Sequence, residues 1–137
     1  MSIRGQTPIH IAGSGIAGMT AAINLSTRGK TVIIHEKHDR IGGARDGDFE
    51  GLENWIFAHT VPEFFSICGV DFNALPATPI FDFSVHLRGL DPVRVTSPEP
   101  FFYIVSRGTA NTSIDNYMAN ICRANNVQFN FGKVLTQ

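Results

Sequence analysis

Cysteine is scarce in this chain of 137 residues: Cys68 and Cys122 are the two copies, and they stand too far apart for a CxxC redox motif or a metal-ligand pair. A disulfide scaffold is therefore excluded, and both thiols are expected to be reduced and largely buried, a pattern that fits a reducing compartment. Charge is also sparse, at 17% of residues with a net charge of −1, so no basic field exists to gather nucleic acid or anionic lipid. Uninterrupted apolar runs are short. None approaches the roughly 20 residues of a membrane-spanning helix, and the opening MSIRGQTP lacks the apolar core and small-residue cleavage site of a secretion signal. A cytoplasmic protein is expected. The five histidines, His10, His35, His38, His59 and His86, show no metal-ligand spacing, and no metal centre is expected. Repeats, low-complexity tracts and linkers are missing, so the chain is about one domain. What remains is a composition 43% hydrophobic, that of a globular fold rather than a disordered chain.

The residues that are present organise themselves around one stretch, Ile9 to Gly43. Ile9–Ala12 is a short apolar run that reads as a buried parallel strand. Gly13, Ser14 and Gly15 break it. A helix is expected from Ile16 to Arg28, with Gly18, Ala22 and Leu25 on one face; two of these are small, so that face can approach a sheet closely. Gly29 stands where a helix-ending glycine belongs, and Thr31 to His35 is a β-branched second strand ending at Glu36. From Asp39 to Gly51 the glycine and charge content suggests an exposed loop. Pro62 is placed to open a short helix that Gly69 closes. Beyond Pro76, Phe81, Phe83, Val85 and Leu87 alternate with polar residues as one strand; Val93 with Val95, and Phe101 to Val105, supply two more, giving an antiparallel meander. A second helix is expected from Ser113 to Ala124, capped by Thr112 or Ser113, then a last strand through Val127, Phe129 and Phe131. The fold class is mixed α/β and Rossmann-like: βαβ, meander, α, β. Trp55 reads as a core residue rather than as the rim of a site, and the phenylalanines as core and meander faces.

Gly13-x-Gly15-x-x-Gly18 follows a strand and opens a helix, the context in which this motif binds dinucleotides. The first glycine permits the tight turn, the second lets a pyrophosphate lie against the backbone, and the third lets helix and strand pack closely. The free N–H groups of Ser14, Gly15, Ile16, Ala17 and Gly18 and the positive end of the helix dipole then face the phosphates, so no lysine or arginine is needed in the loop. Glu36 lies about 20 residues on, where an acidic side chain accepts hydrogen bonds from the adenosine ribose and repels a 2′-phosphate. Lys37 follows it at the rim. Arg40 and Arg45 read as solvated loop charges.

The run from Glu36 through Arg40 to Gly42-Gly43 resembles the glycine-pair extension of flavoproteins of the glutathione-reductase fold type. In that superfamily this segment passes the FAD pyrophosphate and ribityl chain. GDFEGLENW (47–55), the strand ending at Arg107-Gly108 and Ser113-Ile114-Asp115 are similar to bacterial geranylgeranyl-reductase-like flavin-dependent dehydrogenases. The resemblance implies FAD as cofactor and a role for Arg107 in holding it; a salt-bridged structural arginine is the equal alternative. It also implies that residues 1–137 are the N-terminal part of one FAD-binding domain of an oxidoreductase acting on a small organic, isoprenoid-like substrate. Such proteins supply a later Gly-Asp pair and a substrate domain from further along the chain, and Gly47-Asp48 stands too early to be that pair. No catalytic acid or base is named, because in such enzymes the redox chemistry belongs to the flavin. Two other readings stay open: an NAD-binding Rossmann domain, and a truncated, non-enzymatic dinucleotide-binding remnant.

Overall fold

The computed structural model describes residues 7–55 and 58–134. Its first layer is a parallel sheet. Strands β1 (Ile9–Ala12), β2 (Val32–Glu36) and β8 (Gln128–Phe131) lie in the order β1-β2-β8, with Ile9 opposite Val32 and Ile34 opposite Phe129. This register puts Ile9, Ile11, Val32 and Ile34 on one face, and helices α1 (Ile16–Ser26) and α3 (Ile114–Ala124) bury that face. The other face carries His10 and His35, whose rings are stacked and hydrogen bonded, Nδ1 to Nε2, at 2.7 Å.

Side-chain size sets the approach of α1. A Cβ at Gly18 would overlap the Gly13 carbonyl and meet Ile11 Cγ2 at 3.4 Å, so only glycine allows this helix so near β1. Met19, Ala22 and Ile23 then pack against Ile114, Met118, Ala119 and Cys122 of α3, all of them buried. Apolar residues four apart on both helices make that seam. The helix stops at Ser26, two residues before the expected Arg28, because the chain turns at once: Gly29, at φ +76°, returns its N–H to Ser26 and lets Lys30 reach Leu25.

The second layer is antiparallel. Strands β3 (Phe49–Glu53), β4 (Ala77–Ile80) and β7 (Phe102–Ser106) pair in the order β3-β7-β4, and β5 (Asp82–Val85) pairs with β6 (Val93–Thr96). This corrects three expectations. The arrangement is not a simple meander, because β7 returns between β3 and β4. The expected loop 39–51 already contains the start of β3. The strand expected through Phe81–Leu87 is the shorter β5, and an unexpected β4 precedes it across Phe81, the two held as one ribbon by Ser97 N–H on the Phe81 carbonyl and Phe101 N–H on that of Ile80. β4 carries Pro79 and lies at the sheet edge, where a missing N–H is tolerated.

Between the layers, α2 (Val61–Ile67) is fixed by a capping box in which Thr60 and Glu63 each satisfy the other's backbone N–H. A 3₁₀ turn, Phe72–Ala74, follows, and Asn24 of α1 reaches the Cys68 carbonyl at 2.9 Å to tie α2 to the first layer. Trp55 corrects the expectation of a core residue. It is 55% exposed and stands edge-on to Phe101 and Phe102. Phe49, Phe64 and Phe81 are likewise exposed, so the phenylalanines are only partly core. Ile56 and Phe57, which end the tryptophan segment, lie outside the described residues.

Ser113 starts α3. Its hydroxyl accepts the Asn116 N–H at 3.2 Å and donates to the buried Gly108 carbonyl at 2.7 Å. Ser113→Ala removes both bonds and leaves that carbonyl without this donor, so urea unfolding should show a loss of about 1–2 kcal/mol with an unchanged m-value.

Candidate functional site

The turn from β1 into α1 is built as the motif requires. Gly13 adopts φ +90° and donates its N–H to the His35 carbonyl at 2.8 Å. Gly15 is the N-cap of α1, with no side-chain cap bond and no acidic residue in the first turn. The leading N–H groups of the helix are therefore open to an anion. A Cβ built on Gly15 meets nothing within 4 Å, and its backbone (φ −69°, ψ 170°) suits any residue. Gly15 and Gly18 thus do different work: Gly18 is demanded by the protein's own packing, whereas Gly15 keeps space clear.

Glu36 closes the other side of this turn. Its Oε2 accepts the Ser14 N–H at 2.9 Å and the Ser14 hydroxyl at 2.6 Å, and its Oε1 accepts the His38 N–H at 2.9 Å. Burial pushes the carboxyl up, but the His38 amide and the hydroxyl and amide of Ser14 outweigh it, so the group titrates below its ordinary range and is ionised at neutral pH. A carboxylate offers about four acceptor positions, so Oε1 keeps one for a further donor.

Next to Glu36 the chain folds back through Gly42 and Gly43. Gly42 has φ +73°, and a Cβ there would collide with the backbone of Gly108. Gly108 in turn lies against the backbone of Arg45 and Asp46, and Asp46 accepts the Thr109 N–H at 3.0 Å and hydroxyl at 2.5 Å. The glycine pair is therefore seated on the turn between β7 and α3, two segments far apart in sequence.

Arg107 occupies that turn. Its Nε and Nη2 donate to the two carboxylate oxygens of Asp115, each at 2.9 Å, and its Nη1 donates to Glu50 of β3. Asp115 also accepts the Gly108 N–H at 2.8 Å. Burial raises the Asp115 carboxyl, but the Arg107 bonds, the Gly108 amide and the guanidinium charge prevail and hold it below the usual range. The same bonds raise the guanidinium further. Arg107 is thus the salt-bridged arginine of the alternative reading, and it also lines the cleft.

That cleft has a volume of about 70 Å³ and is lined by Ser14, Gly15, Glu36, Gly42, Gly43 and Arg107 among others. Six of the residues expected at a cofactor site thus converge. Gly13, at φ +90°, and Gly18, packed on the Gly13 carbonyl, are not among the residues that line it. Lys37 is exposed and takes no part in its lining. Ile16 and Ala17 face a larger apolar groove of about 1060 Å³ between α1, α2 and β3, and Arg107 lines both spaces. Arg40 and Arg45 also border the cleft, with Arg45 paired to Asp48 at 2.9 Å. Glu50 and Asp46 escaped the sequence reading. No local pattern marks them, because their partners Arg107 and Thr109 lie 57 and 63 residues further on.

The fold and the glycine loop define a dinucleotide-binding domain of Rossmann type. A family model described as NAD(P)-binding Rossmann-like domain matches residues 11–63. Among solved structures, the C294A mutant of 2-methyl-3-hydroxypyridine-5-carboxylic acid oxygenase aligns with a TM-score of 0.70 at 21% identity, covering 93% of this chain and 32% of that one. A geranylgeranyl bacteriochlorophyll reductase-like protein from Thermoplasma acidophilum aligns with a TM-score of 0.64 at 16% identity, covering 97% of this chain and 33% of that one. In sequence, a tRNA 5-methylaminomethyl-2-thiouridine biosynthesis bifunctional protein from Shewanella frigidimarina (strain NCIMB 400) is 40% identical over 57 residues, which is 42% of this chain and 8% of that protein. The chain therefore spans about a third of those two structures and a small part of the curated relative. The likeness to these structures is one of fold, and over residues 11–63 it is joined by the match to a NAD(P)-binding Rossmann-like domain. Among the described residues no helix is long and apolar enough to cross a membrane.

Two measurements test the electrostatics. Glu36 and Asp115 both titrate low in the folded state, so their stabilisation is complete above the unfolded carboxylate range and is lost as pH falls through their folded values. Stability followed by urea melts should hold from neutrality to about pH 5 and decline below about pH 4. Asp115→Asn leaves a buried guanidinium short of its counter-charge and should cost about 3 kcal/mol at pH 7 while flattening the acid limb of that profile.

Proposed function

We propose that this chain grips the ADP half of FAD and forms the N-terminal part of a flavin-dependent oxidoreductase. The observation that carries the reading is the convergence of Ser14, Gly15, Glu36, Gly42, Gly43 and Arg107 on one small cleft beside the uncapped start of α1. The fit is chemical as well as steric. An anionic diphosphate matches free backbone N–H groups and the positive helix end. The open space at Gly15 admits it, and the spare acceptor position of Glu36 suits a ribose hydroxyl. At about 70 Å³ the cleft takes a phosphate-sized part of the ligand, and the remainder lies along open surface.

Bound flavin supplies the electron and hydride chemistry. The chain's own residues bind and orient. Gly15 and the first turn of α1 hold the diphosphate, Glu36 fixes the ribose and disfavours a 2′-phosphate, and Gly42-Gly43 form the wall along which the cofactor passes. A small organic, isoprenoid-like substrate, reached through parts of the protein beyond this chain, is the finer reading; the geranylgeranyl reductase-like neighbour supports it. NAD is the second reading, favoured by the description of the matching family and by the ADP moiety that both ligands share.

Thermal melts with FAD or NAD decide between them. FAD at about 100 times its dissociation constant should stabilise the protein by about 2.7 kcal/mol. An equal or larger shift with NAD alone would overturn the assignment. Gly15→Val should leave the unliganded melting temperature near wild type, because its side chain enters open space, and should abolish the FAD-dependent shift. A Gly15→Val protein that still responds to FAD would refute the site.

A further inference from the structure

The dinucleotide cleft and the apolar groove share a wall, and Arg107 is the charged residue that lines both. Its two side-chain partners are unequal. Asp115 is buried, holds the guanidinium with both oxygens and also accepts the Gly108 N–H, so it is fixed. Glu50 is 39% exposed in its side chain, lines the groove, binds Nη1 of Arg107 and stands 3.9 Å from Arg45. Arg45, itself half exposed, is a residue of the cleft. Glu50 is therefore the one solvent-accessible carboxylate shared by the two arginines.

Charge balance gives this a consequence. Arg40, Arg45 and Arg107 line the cleft beside the uncapped α1 terminus, and Asp39, Asp48 and Asp115 already pair with them one to one. Glu50, reaching in from the groove side, is a further negative charge on Arg107 and beside Arg45. An anion held at the start of α1 occupies the same small cleft as Arg107 and Arg45, so it meets arginines already engaged by an internal carboxylate.

Resting on the reading of this cleft as a diphosphate site, we infer that Glu50 is an internal competitor for the ligand's anionic group: in the empty site it occupies the third arm of Arg107 and stands beside Arg45, and its release accompanies binding. Glu50 is a positioning residue that sets affinity for the phosphate part of the ligand and leaves its uncharged part indifferent. It keeps a buried cation partnered when no ligand is bound, at the expense of weaker anion binding.

The test compares wild type with Glu50→Gln, which keeps shape and removes charge, and Glu50→Ala, using equilibrium dialysis against FAD, adenosine and inorganic pyrophosphate. Both variants should bind FAD and pyrophosphate about five-fold more tightly than wild type, the size expected for removing one partly exposed like charge. Affinity for adenosine, the phosphate-free part of the ADP half, should not change. A merely structural role for Glu50 would weaken all three or none. Equal or weaker binding of FAD and pyrophosphate by the variants overturns the inference, and leaves the FAD reading standing if wild type binds FAD. Pyrophosphate binding that strengthens in the variants while no form binds FAD supports the inference and overturns FAD as the ligand. Failure of both variants to fold, seen as lost cooperative melting, makes Glu50 structural and also overturns it.

Discussion

The buried pair of Arg107 and Asp115 is the constraint on which the site depends. Taking two charges out of water is costly, and an ion pair recovers that cost only where every polar atom finds a partner. Here the carboxylate accepts two guanidinium N–H groups and the Gly108 amide, and the third arm of the arginine reaches Glu50. The pair joins the end of β7 to the first turn of α3, and so joins the antiparallel layer to the parallel one. Gly108, fixed by it at φ +96°, is the surface on which Gly42 rests. Move this turn and the glycine pair loses its seat, and with it one wall of the cleft.

The glycines divide accordingly. At Gly18 and Gly42 a Cβ would collide with the chain's own backbone, so their lack of a side chain serves assembly: one brings α1 onto β1, the other brings the loop after β2 onto the β7–α3 turn. At Gly15 no protein atom is near enough to object. A residue kept bare where the fold does not need it is the stronger indication of a ligand, because the space it clears is outside the protein. The same distinction separates Ser14 from its neighbours. Its backbone and hydroxyl are committed to Glu36, so it stiffens the acid rather than facing a ligand with a free group.

How much of this was legible in the sequence follows from the range of the forces involved. β1, the glycine turn, α1, β2 and Glu36 form one contiguous unit whose signals are local: β-branched runs, a helix face of small residues and a stop glycine. That unit was placed to within a residue or two. The antiparallel layer was not. β3 begins with an exposed Phe49 and runs through Gly51, so neither propensity nor alternation marks it; pairing with β7 makes it a strand. Trp55 was misplaced for a related reason: hydrophobicity predicts burial only when another layer covers the residue, and Trp55, edge-on to Phe101 and Phe102, is still 55% exposed. Glu50 was invisible because its partner lies 57 positions away across β7.

The cleft's electrostatics fit the composition of the whole chain. A site that relied on lysines and arginines for its phosphates would appear as a basic excess, yet the net charge is −1 and each arginine beside the cleft has a carboxylate partner: Asp39 for Arg40, Asp48 for Arg45, Asp115 and Glu50 for Arg107. The uncompensated positive ends here are backbone N–H groups at the start of α1, which are fixed in direction by the helix and carry no side-chain entropy. Such groups act over about one turn of helix and select by position, whereas side-chain charge acts over a Debye length and selects mainly by sign. A grip made this way needs its ligand seated before attraction is felt. The separate fixing of Gly15, Glu36 and Gly42 to the rigid frame of β1, β2 and the β7–α3 turn is what supplies that seat.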